Sequence, residues 1–198
     1  HLKHHRFTET DKDPDLALSA PFPITRKSFF RKVVRDLSGL TGYRRYSQAL
    51  LSIFKTEGDN TLDKIKKIWL KIHGFLITNA LIFGGVSIFL DWTLFFLLWW
   101  LPAFTYYSLI IRIRNIAEHC VTSGSTDFDN TRTTLTNPIV RFLMAPHRVN
   151  YHLEHHLFIM CPWYNLPKAH SMMIENGYED RMCIANSYRS VLMKAVSA

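Results

Sequence analysis

The chain has 198 residues, 47% of them hydrophobic, 14% aromatic and 20% charged. That much apolar surface excludes a disordered or low-complexity protein, and the length points to one domain. Eight Gly and eight Pro exclude a collagen-like or linker chain. Cys120, Cys161 and Cys183 are far apart with no CxxC pair, so they read as reduced thiols and not as a disulfide framework or a thiolate zinc cluster. The formal charge is +8, and where it sits decides what it means.

The chain opens on His1-Leu2-Lys3-His4-His5, an HxxHH pattern that recurs at His152-Leu153-Glu154-His155-His156. With ten histidines in 198 residues, chance supplies this pattern only about 0.02–0.03 times per chain. Two copies are therefore not incidental. At 100° per residue, His152, His155 and His156 fall within an arc of about 100°, with Leu153 and Glu154 outside it. The first box repeats the arrangement with Lys3 in place of Glu154. Each box thus aims three imidazoles one way and its charged residue another. On this geometry Glu154→Gln is expected to be tolerated far better than His155→Ala. Two converging clusters supply more nitrogen donors than one metal needs, and imidazole suits iron, zinc and copper alike.

Residues 26–71 carry twelve Lys/Arg against four acids, which is the whole positive surplus. Within 28–37, Phe29, Phe30, Val33, Val34 and Leu37 share one helical face, and Arg31, Lys32 and Arg35 take the other. Ser28 or Thr25 is placed to cap the start. A basic amphipathic helix beside a membrane segment is expected to lie in the interface on anionic lipid. Nucleic-acid binding is the competing account of the charge, and the adjoining apolar segment argues against it.

That segment, 74–111, holds one formal charge in 38 residues, Asp91. It is long enough for two bilayer spans with Asp91 at the turn between them; a buried hairpin of a soluble protein is the alternative. Lys64, Lys66, Lys67 and Lys71 precede it, and Arg112 and Arg114 follow. Basic flanks favour the cytoplasmic side, so both ends of the hairpin are expected there. Gly84-Gly85 is expected to mark a close helix contact, Trp92 an interfacial belt and Pro102 a kink.

After the hairpin, Asn115 and His119 stand at i and i+4 on one helical face. Residues 122–137 have the Ser/Thr/Asp/Asn composition of a loop. Within it, Arg132 is the candidate contact for an anionic headgroup. His73, His147 and His170 read as structural or surface residues, with His170 also placed to orient a ligand imidazole. Residues 168–198 read as a helical tail without visible chemistry. Neither HExxH, GxSxG, a P-loop nor GxGxxG occurs.

Taken together, the two boxes, the hairpin, Asn115 with His119, Tyr151 and the run Pro162-Trp163-Tyr164-Asn165-Leu166-Pro167 make the chain resemble the membrane fatty acid desaturases, with their hydroxylase and ketolase relatives. The resemblance spans the whole chain. It implies an all-α fold: a membrane helical hairpin with a cytosolic helical cap carrying the histidine boxes, and an integral, multi-pass membrane protein. It implies metal ligation by His1, His4, His5, His119, His152, His155 and His156, with Asn115 holding a metal through water. Two Fe ions, O2 as co-substrate, a lipid acyl substrate and a separate electron donor of cytochrome b5 or ferredoxin type follow from it. Nucleic acid is not an implied partner. Arg132 and Trp163 are the substrate-contact candidates.

By the same resemblance, a first box of HxxxH type with its own hairpin precedes the second box. The chain is therefore expected to be an N-terminally truncated desaturase domain, with an incomplete di-iron site by itself. Its parts are 1–25, the second box; 26–71, basic interfacial helices; 74–111, the hairpin; 115–170, the third-box region; and 171–198, the tail. Zinc has no redox chemistry, whereas iron on neutral imidazoles can activate O2. The rival readings are a lipid or carotenoid hydroxylase or ketolase on the same scaffold, and a non-catalytic membrane protein with a structural zinc site.

Overall fold

A computed structural model describes residues 2–8, 10–13, 21–122 and 128–196. The protein is all-α with one minimal sheet, and its chain divides into two compact units, residues 31–109 and residues 1–30 with 110–198.

The first of these is the hairpin unit. Helix α2 (Arg26–Leu37) enters it, with the Thr25 hydroxyl accepting from the Ser28 N–H at 3.2 Å. Gly39 turns the chain at φ 82°, a left-handed conformation that glycine adopts without a steric penalty, into α3 (Leu40–Phe54). Phe30, Val34, Leu37, Tyr43, Leu51 and Phe54 on these helices are exposed. An apolar face left uncovered by protein is what an interfacial helix presents to lipid.

Helix α4 (Thr61–Phe89) starts at Asn60, whose side chain accepts from the Asp63 N–H. Its 29 residues extend about 43 Å at 1.5 Å per residue, longer than a hydrocarbon core of about 30 Å. The basic first turns, Lys64 to Lys71, are thus part of the same helix as the apolar span and lie at its start. None of its apolar window is buried within the protein. Asp91 sits in the turn as expected, its carboxylate accepting from both the backbone and the hydroxyl of Thr93.

The second span, α5 (Thr93–His119), winds into a π-helical turn at Phe96–Trp100. Pro102 explains it: proline offers no N–H to the carbonyl four residues back and its ring crowds that carbonyl, so the helix widens just before it. The two spans are joined by Trp99 Nε1, which donates to Asn79 Oδ1 at 3.1 Å. The close approach expected at Gly84-Gly85 is not there, since a Cβ on either would meet nothing within 4 Å. It occurs instead at Gly42 of α3, where a Cβ would lie 2.3 Å from the Phe104 carbonyl oxygen.

The second unit is built around the last residues of α5. Ile116 and Cys120 pack with Val191 and Ala195 of α9 (Tyr188–Ala195), and Ala117 packs with Ala145 and Tyr188. Helix α6 (Pro138–Met144) is capped by Asn137. Leu153, on the six-residue α7 (His152–Leu157), packs with Met173 of α8 (Leu166–Glu175) and with Met182. Strands β1 (Thr133–Thr134) and β2 (Ile184–Ala185) pair in parallel. The C-terminal stretch is therefore no appendage. It supplies β2, α9 and part of every core cluster, because its apolar residues help cover the apolar face at the end of α5. No disulfide forms among the three cysteines.

Candidate metal centre

All described candidate histidines lie in this second unit. Helix α1 (Leu2–Phe7) carries His4 and His5, the end of α5 carries His119, and α7 carries His152, His155 and His156. Donor nitrogens of His4, His119, His152 and His156 all lie within 4.8 Å of one another, and all four residues are buried. His152 Nε2 is 2.9 Å from His119 Nε2 and 3.1 Å from His156 Nε2. His5 and His155 form an adjoining pair, Nε2 to Nε2 at 3.1 Å, with the His5 ring 4.1 Å from that of His156. The six imidazoles thus fall into a group of four and a group of two. His1 lies outside the described residues.

Outer partners orient several of these rings. Asp13 Oδ1 accepts from His4 Nδ1 at 2.9 Å, and both side chains are buried. The Asn130 carbonyl lies 3.4 Å from His119 Nδ1. The Thr8 hydroxyl donates to the His4 carbonyl at 2.9 Å, which leaves its lone pairs toward His156 Nδ1 at 3.5 Å. With an acceptor at Nδ1, each ring keeps a lone pair on Nε2 facing the others, the arrangement found where imidazoles bind metals. Burial also favours the uncharged form of His5, His119, His152, His155 and His156. Desolvation first, then the neighbouring imidazoles, lowers His5 from 6.5 to about 4 and pushes His152, His155 and His156 below the ordinary histidine range.

The donor set fits a metal. Two nitrogens at right angles on one ion, each bonded at about 2.1 Å, stand about 3 Å apart, as the Nε2 pairs here do. Neutral imidazole without thiolate suits first-row transition ions. Asn115 precedes His119 by one helical turn and is half-buried.

Two sequence-based assignments change. Arg132 is not available to a headgroup: it is buried, and its guanidinium donates to the carbonyls of Ala117, Cys120 and Val121 at 2.9–3.1 Å. It closes the C-terminal end of α5, where four carbonyls lack helical partners. Glu154 does face away from the imidazoles, but it is fully buried and bonded, so exchange to Gln is not innocuous. His170 bonds to Glu154 and not to a candidate ligand ring. Trp163 is about half exposed, its ring edge-on to that of His147 at 5.1 Å. His73, bonded to the Trp69 carbonyl, belongs to the hairpin unit.

Sequence reasoning missed Asp13, Thr8 and Asn130. Nothing local marks them, because each acts on a histidine brought near by the fold.

Residues 1–184 match the family described as Fatty acid desaturase. The chain belongs to the fatty acid desaturase family. That family is membrane-bound and of the di-iron oxidoreductase type, acting on lipid acyl substrates. No curated protein and no solved structure matches the chain.

Proposed function

We propose that this protein is a membrane oxidoreductase that introduces a double bond into a fatty acyl chain, taking O2 as co-substrate and electrons from a separate donor of cytochrome b5 or ferredoxin type. The observation that carries this reading is the convergence of six imidazoles, four of them buried, from three distant segments within a chain of this family. In this reading His4, His119, His152 and His156 hold one iron. His5 and His155, with His1, hold the second, and Asn115 reaches a metal through water. Iron in such a site supplies an oxidant able to take hydrogen from an unactivated methylene.

The chain's own residues do the rest. Burial favours the neutral form of His5, His119, His152, His155 and His156, which leaves their lone pairs for metal, since metal and proton compete for the same nitrogens. Asp13, the Asn130 carbonyl and Thr8 fix ring orientation. The apolar spans keep the protein in the membrane where acyl chains are, and Trp163 is the remaining substrate-contact candidate. Residues 1–198 form one functional domain in this reading, with both ends of the hairpin cytosolic because both flanks are basic. Labelling of Cys161 from the outer face alone would overturn that topology.

The decisive test is expression of the full-length gene in a lipid-defined host, with fatty acid profiling and metal analysis of the purified protein. The expected result is a new double bond without retained oxygen and about two irons per chain. A hydroxyl or keto product moves the assignment to the hydroxylase and ketolase relatives. Zinc in place of iron overturns the redox reading.

A further inference from the structure

Helix α7 is six residues long, too short to hold its own orientation in the absence of tertiary anchors. Yet it carries three of the six imidazoles. Its opposite side is where the anchors are. Leu153 is fully buried against Met173 and Met182. Beside it Glu154, with no exposure at all, uses both carboxylate oxygens: Oε1 accepts from His170 Nδ1 at 2.6 Å, and Oε2 accepts from Thr133 Oγ1 at 2.5 Å.

Both donors are themselves fixed. Thr133 pairs with β2 through its backbone and bridges to Tyr151, the residue just before α7. His170 sits on α8, its ring edge-on to that of Tyr151 at 5.4 Å. A carboxylate taken wholly out of water is costly unless its acceptor sites are filled. Here both oxygens have partners, and the partners come from two different elements. A core position would be filled at lower cost by a leucine, as at 153 next to it. What the carboxylate adds is direction: two short bonds set the rotation of α7 about its axis, and with it the direction of His152, His155 and His156.

We propose that Glu154, held between Thr133 and His170, is a positioning residue that sets the rotation of the third histidine box and thereby its affinity for metal. The proposal rests on the reading of the histidine cluster as a metal site.

The test uses the full chain in detergent, stripped of metal and titrated with Fe2+ anaerobically and separately with Co2+, whose visible bands report ligand geometry. Four variants accompany the wild type: Glu154→Gln, Thr133→Val, His170→Phe and Val191→Ala. The last alters a core cluster that includes none of Glu154, Thr133 and His170. Thermal melting of each metal-free protein is measured in parallel.

The first three variants are expected to lose about 10–100-fold in metal affinity, the range for residues that orient ligands, and to show altered Co2+ bands. Val191→Ala is expected to melt lower while binding metal like the wild type. If Glu154→Gln does not fold, Thr133→Val, which removes a single hydroxyl, decides alone. Wild-type affinity and bands in the variants, with the wild type itself binding, overturn the positioning role and leave the metal site standing. A wild type that takes up neither ion overturns the metal reading and the positioning role with it.

Discussion

The hairpin unit and the histidine unit put their polar and apolar side chains in opposite places. In residues 31–109 the large apolar side chains face outward: Leu62, Leu81, Ile88 and Phe89 are each at least 71% exposed. Only Asp36 and Ser108 are buried polar residues there. In the histidine unit the other fifteen described buried polar residues collect in the interior, among four histidines, Asp13, Arg132 and Glu154. The difference teaches what each unit has for solvent. An apolar exterior is stable only against hydrocarbon. A polar interior is stable only if its groups are paired or bind something.

The largest effect belongs to His156→Ala, which removes a buried ring that lies 3.1 Å from His152 through its Nε2 and 4.1 Å from the His5 ring. Bound iron is expected to fall to one per chain or fewer, and turnover to drop below detection. Metal analysis of purified protein checks it, and full occupancy would separate the cluster from metal binding altogether.

Leu81→Arg places a charge mid-span on a residue 71% exposed. At a cost of about 2.5–3.5 kcal/mol for a charge at the centre of a spanning helix, the membrane-inserted fraction should fall sharply in a carbonate-extraction assay. If insertion were unchanged, the outward apolar face would have some other cover.

Asp13→Asn keeps shape but removes the charge behind His4. Metal affinity is expected to weaken about 10–100-fold, read by chelator competition.

Gly42→Ala forces a Cβ against the Phe104 backbone and is expected to destabilise the hairpin unit by about 1–3 kcal/mol. Unfolding followed by tryptophan fluorescence measures it, and metal stoichiometry should not change.

Acid has the gentlest effect. His5, His152 and His156 are lowered below 6.5 in the folded chain, so the unfolded chain binds more protons at mildly acid pH. Stability of the metal-free protein is therefore fully present above about pH 6.5 and is lost as pH falls from there toward 4. Melting temperatures at pH 7.5 and 5 test the sign.

How far the sequence was legible follows from the range of each interaction. The hairpin could be read because absence of charge over 38 residues is a local property, and Asp91 marks its turn by the same rule. The imidazole groups could be read because helical periodicity puts i, i+3 and i+4 on one side. The direction of Glu154 followed from that periodicity. Its burial did not, because Thr133 and His170 reach it from 21 and 16 residues away. Arg132 was misplaced for the same reason: the composition around it is that of a loop, while its three acceptors lie 11 to 15 residues upstream. The π-helical turn was foreshadowed by Pro102 only as a kink, since nothing local distinguishes a bend from an extra residue wound into the helix.

The Arg132 closure has a consequence for how the chain tolerates change. Its guanidinium holds the end of α5, and the Arg132 N–H donates to the Glu118 carbonyl at 2.9 Å. Both ends of the segment 122–130 are therefore tied together at their base, next to His119. Arg132→Ala would strip the carbonyls of Ala117, Cys120 and Val121 of this donor, so a change thirteen residues along the chain loosens the helix end that carries His119.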